Sequence, residues 1–219
     1  MGYSCIVAGI KKEAETGLRD KVDIFEWVDV GDILNLVSFL KRNGVKEAVF
    51  AGKVDHRKIF NKEEFNEVSS SLLTQGKDRS ATSVLKTIID FMAKEGIQIM
   101  DPTSFITSSL CQESVLTKTK LPPDAEEDIV FGFKIAKNIA DLDIGQTVIV
   151  KDKTVVAVEG MEGTDEAIKR GGRLAGEGTV VVKVSRSFQD ARVDLPAVGL
   201  NTVKSLVEAR SRALCIEAQ

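Results

Sequence analysis

Short runs of β-branched and apolar residues alternate with longer segments in which apolar residues recur every three or four positions. Residues 5–8 and 22–25 read as strands, the first ending at Gly9, where an open α/β sheet turns toward a helix, so the opening reads as βαβ. Asp32 then begins a helix with Ile33, Leu36, Val37 and Leu40 on one face, and Asn43-Gly44 stops it because glycine tolerates the left-handed cap. A strand over 47–50 follows. A second helix starts near Ser80, presents Val84, Leu85, Ile88, Ile89 and Met92 along one face, and stops at Gly96 before a strand over 97–100. This alternation predicts an α/β fold whose N-terminal domain is Rossmann-like, with a mainly parallel sheet and helices on its faces.

Between Leu116 and Glu127 the pattern gives way to Thr, Lys, Pro and acidic residues, and Pro122 and Pro123 remove two amide donors. A domain boundary placed here gives an N-terminal domain of residues 1–120 and a C-terminal domain of 121–219. Beyond it the periodicity predicts a helix over 126–140 and a hairpin pairing 147–150 with 155–158 around the polar turn Lys151-Asp152-Lys153. A strand over 179–184 follows, so the second domain is α/β with a mixed sheet.

Composition narrows the function. The chain has 219 residues, 43% hydrophobic, enough for one large core or two small ones. With 30 basic against 33 acidic residues the net charge is -3, which offers no field to hold a nucleic-acid backbone, so nucleic acid is not expected as a partner. Cys5, Cys111 and Cys215 lie far apart without CxxC spacing, so no zinc site or disulfide framework is expected. They read as thiols of a reducing cytoplasm, with Cys111 and Cys215 buried. The opening residues 1–6 carry no export or lipidation pattern, and no apolar stretch is long enough to span a bilayer, so any lipid is expected as a ligand.

Four polar clusters sit at the ends of the predicted strands of the second half, where an α/β crevice binds its ligand. Gly145-Gln146 precedes the hairpin. Glu159-Gly160-Met161-Glu162-Gly163-Thr164-Asp165 follows it, with Lys169 and Arg170 further on. Lys183 and Arg186 form the third cluster, and the segment from Gln189 to Pro196 the fourth. An extended backbone there would send Asp190, Arg192 and Asp194 to one face. Carboxylates hold Mg²⁺ through one or two contacts while phosphates complete its shell, and Arg and Lys neutralise phosphate oxygens. Glycines beside Glu162 let amides approach an anion, and Thr164-Asp165 is expected to cap the next helix so that its positive end faces the ligand. The set suits phosphoanhydride hydrolysis, although each cluster taken singly is more often structural, an ion pair or a helix start.

Over these residues the sequence resembles the LpxI family. The resemblance runs from Leu142-Asp143-Ile144-Gly145-Gln146 through Glu162-Gly163-Thr164-Asp165 to Arg170, then Lys183 and Gln189-Asp190 to Pro196-Ala197-Val198-Gly199. It covers nearly all of the second half and, more loosely, Ala51-Gly52-Lys53-Val54, Arg57 and Gly76-Lys77-Asp78 in the first. It implies a hydrolase that cleaves the pyrophosphate of UDP-2,3-diacylglucosamine to UMP and 2,3-diacylglucosamine 1-phosphate (lipid X), a step of lipid A synthesis, with Mg²⁺ or a similar divalent cation. On the matching positions it implies Asp190 as the essential carboxylate and Asp194, Glu162 and Asp165 as further catalytic candidates, with Asp190 and Asp194 toward the metal. Gln146, Thr164, Arg170, Lys183, Gln189 and Arg192 would bind the UDP-linked acylated glucosamine. The expected setting is cytoplasmic, with peripheral contact at the inner face of the membrane, and the expected assembly a homodimer.

Two departures leave other readings open. Ala8-Gly9-Ile10-Lys11-Lys12 stands where similar proteins have a glycine-rich loop, and the chain is expected to end soon after Ala209 without a closing strand and helix. A reduced family member that binds nucleotide or lipid without chemistry, or a hydrolase of another nucleoside-diphosphate sugar, would fit the same clusters. His56 is the chain's one histidine and reads as a surface residue. Gln75-Gly76-Lys77-Asp78 is no P-loop, because Asp78 stands where that motif needs Ser or Thr. Trp27 and the ten phenylalanines read as core.

Overall fold

The computed structural model describes residues 4–52, 69–71, 81–187, 190, 192 and 196–218, which form two compact units. One comprises residues 1–104 with 191–193, and the other residues 105–190 and 194–219.

In the first unit, β1 (Ile6–Ile10) pairs in parallel with β2 (Ile24–Val28), and β3 (Glu47–Ala48) in parallel with β4 (Gln98–Ile99). The crossover from β1 to β2 holds a 3₁₀ helix, Thr16–Lys21, where the sequence pattern suggested an α-helix. That segment buries no residue, so it has no apolar face to dock and nothing to repay the nucleation of a longer helix. Helix α1 (Ile33–Arg42) starts as its composition requires: the Asp32 carboxylate accepts from the Asn35 amide at 3.2 Å. It ends before Gly44, at φ +72°. Its Ile33, Val37, Phe39 and Leu40 meet Ile89 and Met92 of α2 (Ala81–Lys94) in one core with Ile97 and Ile99. Phe39 is thus core as expected, whereas Phe105 is largely exposed.

The second unit is a three-layer arrangement around a four-stranded mixed sheet of order β6-β5-β7-β8. Its strands are β5 (Thr147–Lys151), β6 (Thr154–Val158), β7 (Val180–Lys183) and β8 (Ala213–Ile216). β5 runs antiparallel to both β6 and β7, and β8 runs parallel to β7. The closing strand that the sequence seemed to lack is therefore present as β8. Helix α3 (Pro123–Asp141) begins with the proline that looked like a breaker, because a first-turn residue needs no amide donor.

Period-2 alternation sorts the strands onto two faces. Val148, Val150, Val180, Val182 and Val184 pack with Ala125, Ala136 and Ala140 of α3. Ile149 and Val181 face the other way, against Ala167 and Ile168 of α4 (Thr164–Ala175) and, more peripherally, Leu206 of α5 (Leu200–Glu208). Ile149 and Ile168 are fully buried, each worth about 1.5–3 kcal/mol relative to exposure. Thr147 and Lys183 share the α4 face with Ile149 and Val181.

Helix α4 approaches the sheet closely because Gly171 has no side chain, and an added Cβ would lie 2.7 Å from Ile149 Cγ2. Gly171→Val should lower stability by about 1–3 kcal/mol, read as a fall in urea midpoint at unchanged slope. Asp128, buried on α3, accepts from the amides of Asp152 at 3.1 Å and Lys153 at 2.6 Å. Those turn residues have φ of 49° and 54°, the left-handed pair that a two-residue hairpin requires. Asp128→Ala should cost about 2–3 kcal/mol in the same titration, since it strands two amides that a carboxylate satisfied.

Candidate active site

Strand pairing collects three of the polar clusters at one edge of the second unit's sheet. Thr147 at the start of β5 stands opposite Lys183 at the end of β7, and Lys183 is in register with Ile216 at the end of β8. The Glu159 amide donates to the Thr147 carbonyl at 2.8 Å, and the Val184 amide to the Gln146 carbonyl at 2.9 Å. Gln146, the residue after Glu159 and the residue after Lys183 thus enter or leave the sheet on one level. Gly145 allows this, because a Cβ there would fall 2.1 Å from the Glu159 carbonyl oxygen.

At the centre of the edge lies Lys183, only 7% exposed. Its ammonium donates to the Thr164 hydroxyl at 2.7 Å, and that hydroxyl donates to Glu159 Oε1 at 2.8 Å. Thr147 Oγ1 lies 3.5 Å from Thr164 Oγ1. Burying an ammonium costs several kcal/mol unless charge and hydrogen bonds compensate, and the Glu159 carboxylate supplies the opposite charge through one hydroxyl. Glu159 Oε2 is buried without a hydrogen-bond partner among the described residues, an acceptor left for a donor from outside this set. Thr164 is also the first residue of α4, so Lys183 stands beside the positive end of that helix.

The expected helix cap takes a different form. Gly163, at φ +82°, precedes α4 and makes no side-chain cap; the Thr164 hydroxyl is committed to Glu159 and Lys183 instead. Asp165 accepts from the Thr202 hydroxyl at 2.8 Å, tying the first turns of α4 and α5 together. Glu162 pairs with Arg170 and accepts from the Gly160 amide at 3.1 Å, while Arg170 also donates to the Val158 carbonyl at 2.8 Å. The pair braces the loop between β6 and α4. Burial would raise the Glu162 carboxyl, but Arg170 and the amides of Glu162 and Gly160 outweigh it and hold it below the usual carboxylate range.

The structure thus brings Gln146, Thr164 and Lys183 to one sheet edge, with Glu162, Asp165 and Arg170 on the loop and helix that follow it. Asp190 lies on the segment leaving β7 and belongs to the second unit, whereas Arg192 belongs to the first. Arg192 sits in a turn, so the extended alternation expected around it does not hold at that position. Gln189, Asp194, Arg57 and His56 lie outside the described residues. The sequence reading did not single out Thr147, and it named Glu159 only as the first residue of a cluster, with no role of its own. The signal for Glu159 was its place directly after β6, and for Thr147 a hydroxyl opening an otherwise apolar strand.

Among the described residues, no three His, Cys, Asp or Glu side chains gather as metal ligands. The cysteines are free; Cys5 is exposed, and Cys111 and Cys215 are half-buried rather than buried. Burial, with Cys111 and Glu217 nearby, pushes the Cys215 thiol up. Among the described residues no helix is long and apolar enough to cross a membrane.

Comparison with known families divides the chain much as its contacts do. A model of the LpxI N-terminal domain matches residues 1–109, and a model of the LpxI C-terminal domain matches residues 112–219. The chain belongs to the LpxI family. A relative from Caulobacter vibrioides, the UDP-2,3-diacylglucosamine pyrophosphatase LpxI, is 27% identical over 202 residues, spanning 87% of this chain and 72% of the relative. The LpxI C-terminal match contains the whole sheet edge built around Lys183.

Because the Glu162 carboxyl is held below its unfolded value, the stability it contributes is present above the unfolded pKa and is lost as pH falls through the lower, folded one. The melting temperature of Glu162→Gln should therefore lie below that of the wild type at pH 7, with the gap closing below about pH 4. A gap that stays constant from pH 7 to pH 3 would reject the pairing.

Proposed function

We propose that the protein is a pyrophosphatase acting on UDP-2,3-diacylglucosamine, releasing UMP and 2,3-diacylglucosamine 1-phosphate for lipid A synthesis. The observation that carries the reading is the buried Lys183 ammonium, held at the sheet edge beside the start of α4 by Thr164 and Glu159. The name of the Caulobacter relative supplies the substrate. A fixed cation beside a helix N-terminus stabilises the charge that builds on phosphate oxygens as the anhydride breaks, without reorganising at that moment.

In this reading Lys183 and Arg170 face the pyrophosphate, and Gln146 and Thr164 line its approach. Asp190 orients the attacking water and takes its proton. The water oxygen bonds to one phosphorus while the bridging P–O bond breaks, its electron pair leaving with the departing phosphate. Asp190, with Asp194, would hold a Mg²⁺ ion, which when bound neutralises phosphate charge. Gln189 completes the substrate contacts. The setting is cytoplasmic, at the inner face of the membrane that contains the acylated substrate.

Purified protein with UDP-2,3-diacylglucosamine and Mg²⁺ should release UMP, followed by chromatography. No release, while the Caulobacter relative turns over in the same buffer, would sink the substrate assignment. Lys183→Met, which keeps length and loses charge, should lower kcat by roughly 100- to 1,000-fold, as removal of one transition-state donor does. Asp190→Ala should abolish turnover.

A further inference from the structure

On leaving β7 the chain runs through Ser185, Arg186 and Ser187 before Asp190, and a different carboxylate holds each of the three. Glu217, just past β8, accepts from the Ser185 amide at 2.7 Å and from its hydroxyl at 2.9 Å. Lys137 of α3 completes that contact, donating to the Ser185 carbonyl at 2.7 Å and to Glu217 Oε1 at 3.0 Å. Asp143 pairs with Arg186 at 2.5 Å. Asp141, the last residue of α3, accepts from the Ser187 amide and the Ser187 hydroxyl, both at 2.8 Å.

None of these carboxylates belongs to the Lys183 site. The bonds from Glu217 and Asp141 each take a backbone amide and a hydroxyl of one residue, so they fix the direction of the peptide as well as neutralise charge. Burial would raise the Glu217 carboxyl, but Lys137 and Ser185 outweigh it and keep it low; Ser187 does the same for Asp141. Both acceptors are therefore ionised, and at full strength, through the neutral range. Exposed ion pairs add little to stability, which leaves geometry as the product of the cluster around Asp141 and Asp143.

We infer that Asp141, Asp143 and Glu217 are positioning residues for the reaction: they set the direction in which the chain leaves β7 and so the orientation in which Asp190, three residues beyond Ser187, meets the substrate. This rests on the reading of Asp190 as the water-orienting carboxylate. The three carboxylates come from two places, the end of α3 and the residue after β8, so the clamp exists only once both elements have packed on β7.

The test measures UMP release from UDP-2,3-diacylglucosamine with Mg²⁺ by Asp141→Ala, Glu217→Ala, Asp141→Asn, Glu217→Gln and Asp190→Ala, each checked by circular dichroism and melting. The alanine variants should lose roughly 10- to 100-fold in kcat with KM changed by no more than about threefold, as a displaced catalytic group does. Asp141→Asn and Glu217→Gln keep an oxygen for the serine amide and should recover part of the loss. If Glu217→Ala does not fold, Asp141→Ala and Ser187→Ala, at exposed positions, decide the matter. A kcat within about twofold of the wild type, or a raised KM at unchanged kcat, while Asp190→Ala is inactive, overturns the clamp and leaves the role of Asp190 standing. Turnover by Asp190→Ala overturns the reading beneath it and the clamp with it.

Discussion

The antiparallel pairing of β5 with β7 sets Thr147 directly opposite Lys183, and the polar arrangement of the second unit follows from that register. A shift of one residue would turn every side chain to the other face, exchanging Lys183 for a valine against α4 and driving the ammonium into the alanine-lined packing of α3. Fully buried valines on both faces make that shift prohibitive, because each face already has its helix. The Lys183 ammonium is therefore placed by hydrophobic packing that it takes no part in.

Lys183 is tolerated in this position because its charge is answered on the spot. Thr164 accepts from the ammonium and donates to Glu159, so one hydroxyl joins the end of β7, the start of α4 and the end of β6. Gly145 lets the start of β5 lie against the Glu159 backbone, and Gly171 lets α4 settle onto Ile149. A side chain at either glycine would force apart the backbone that carries Glu159 or the helix that carries Thr164.

Carboxylates serve two kinds of role around this edge. Glu162 and Asp165 brace the start of α4 through Arg170 and Thr202. Asp141, Asp143 and Glu217 restrain the exit from β7 that leads to Asp190. Each of these acids is answered within the fold by a serine or threonine donor or by a basic partner.

The alternation of valines, the helix-stopping glycines Gly44 and Gly96, and the polar turn at Asp152-Lys153 are local signals, and they determined the α/β class, both N-terminal helices and the hairpin. The sequence also determined the family, because the polar runs at the strand ends are specific in type and order. It did not show that the β1 to β2 crossover lacks an α-helix, since a segment with no apolar face depends on what it fails to pack against. Nor did it separate Glu159 from the acids nearby, or Ser185, Arg186 and Ser187 from an ordinary loop. Those roles come from partners as far away in sequence as Glu159 is from Lys183, or Lys137 from Glu217. Spacing along the chain says which face a residue takes; only the packed sheet says which distant donor waits there, because burial is what makes an unanswered charge too costly to keep.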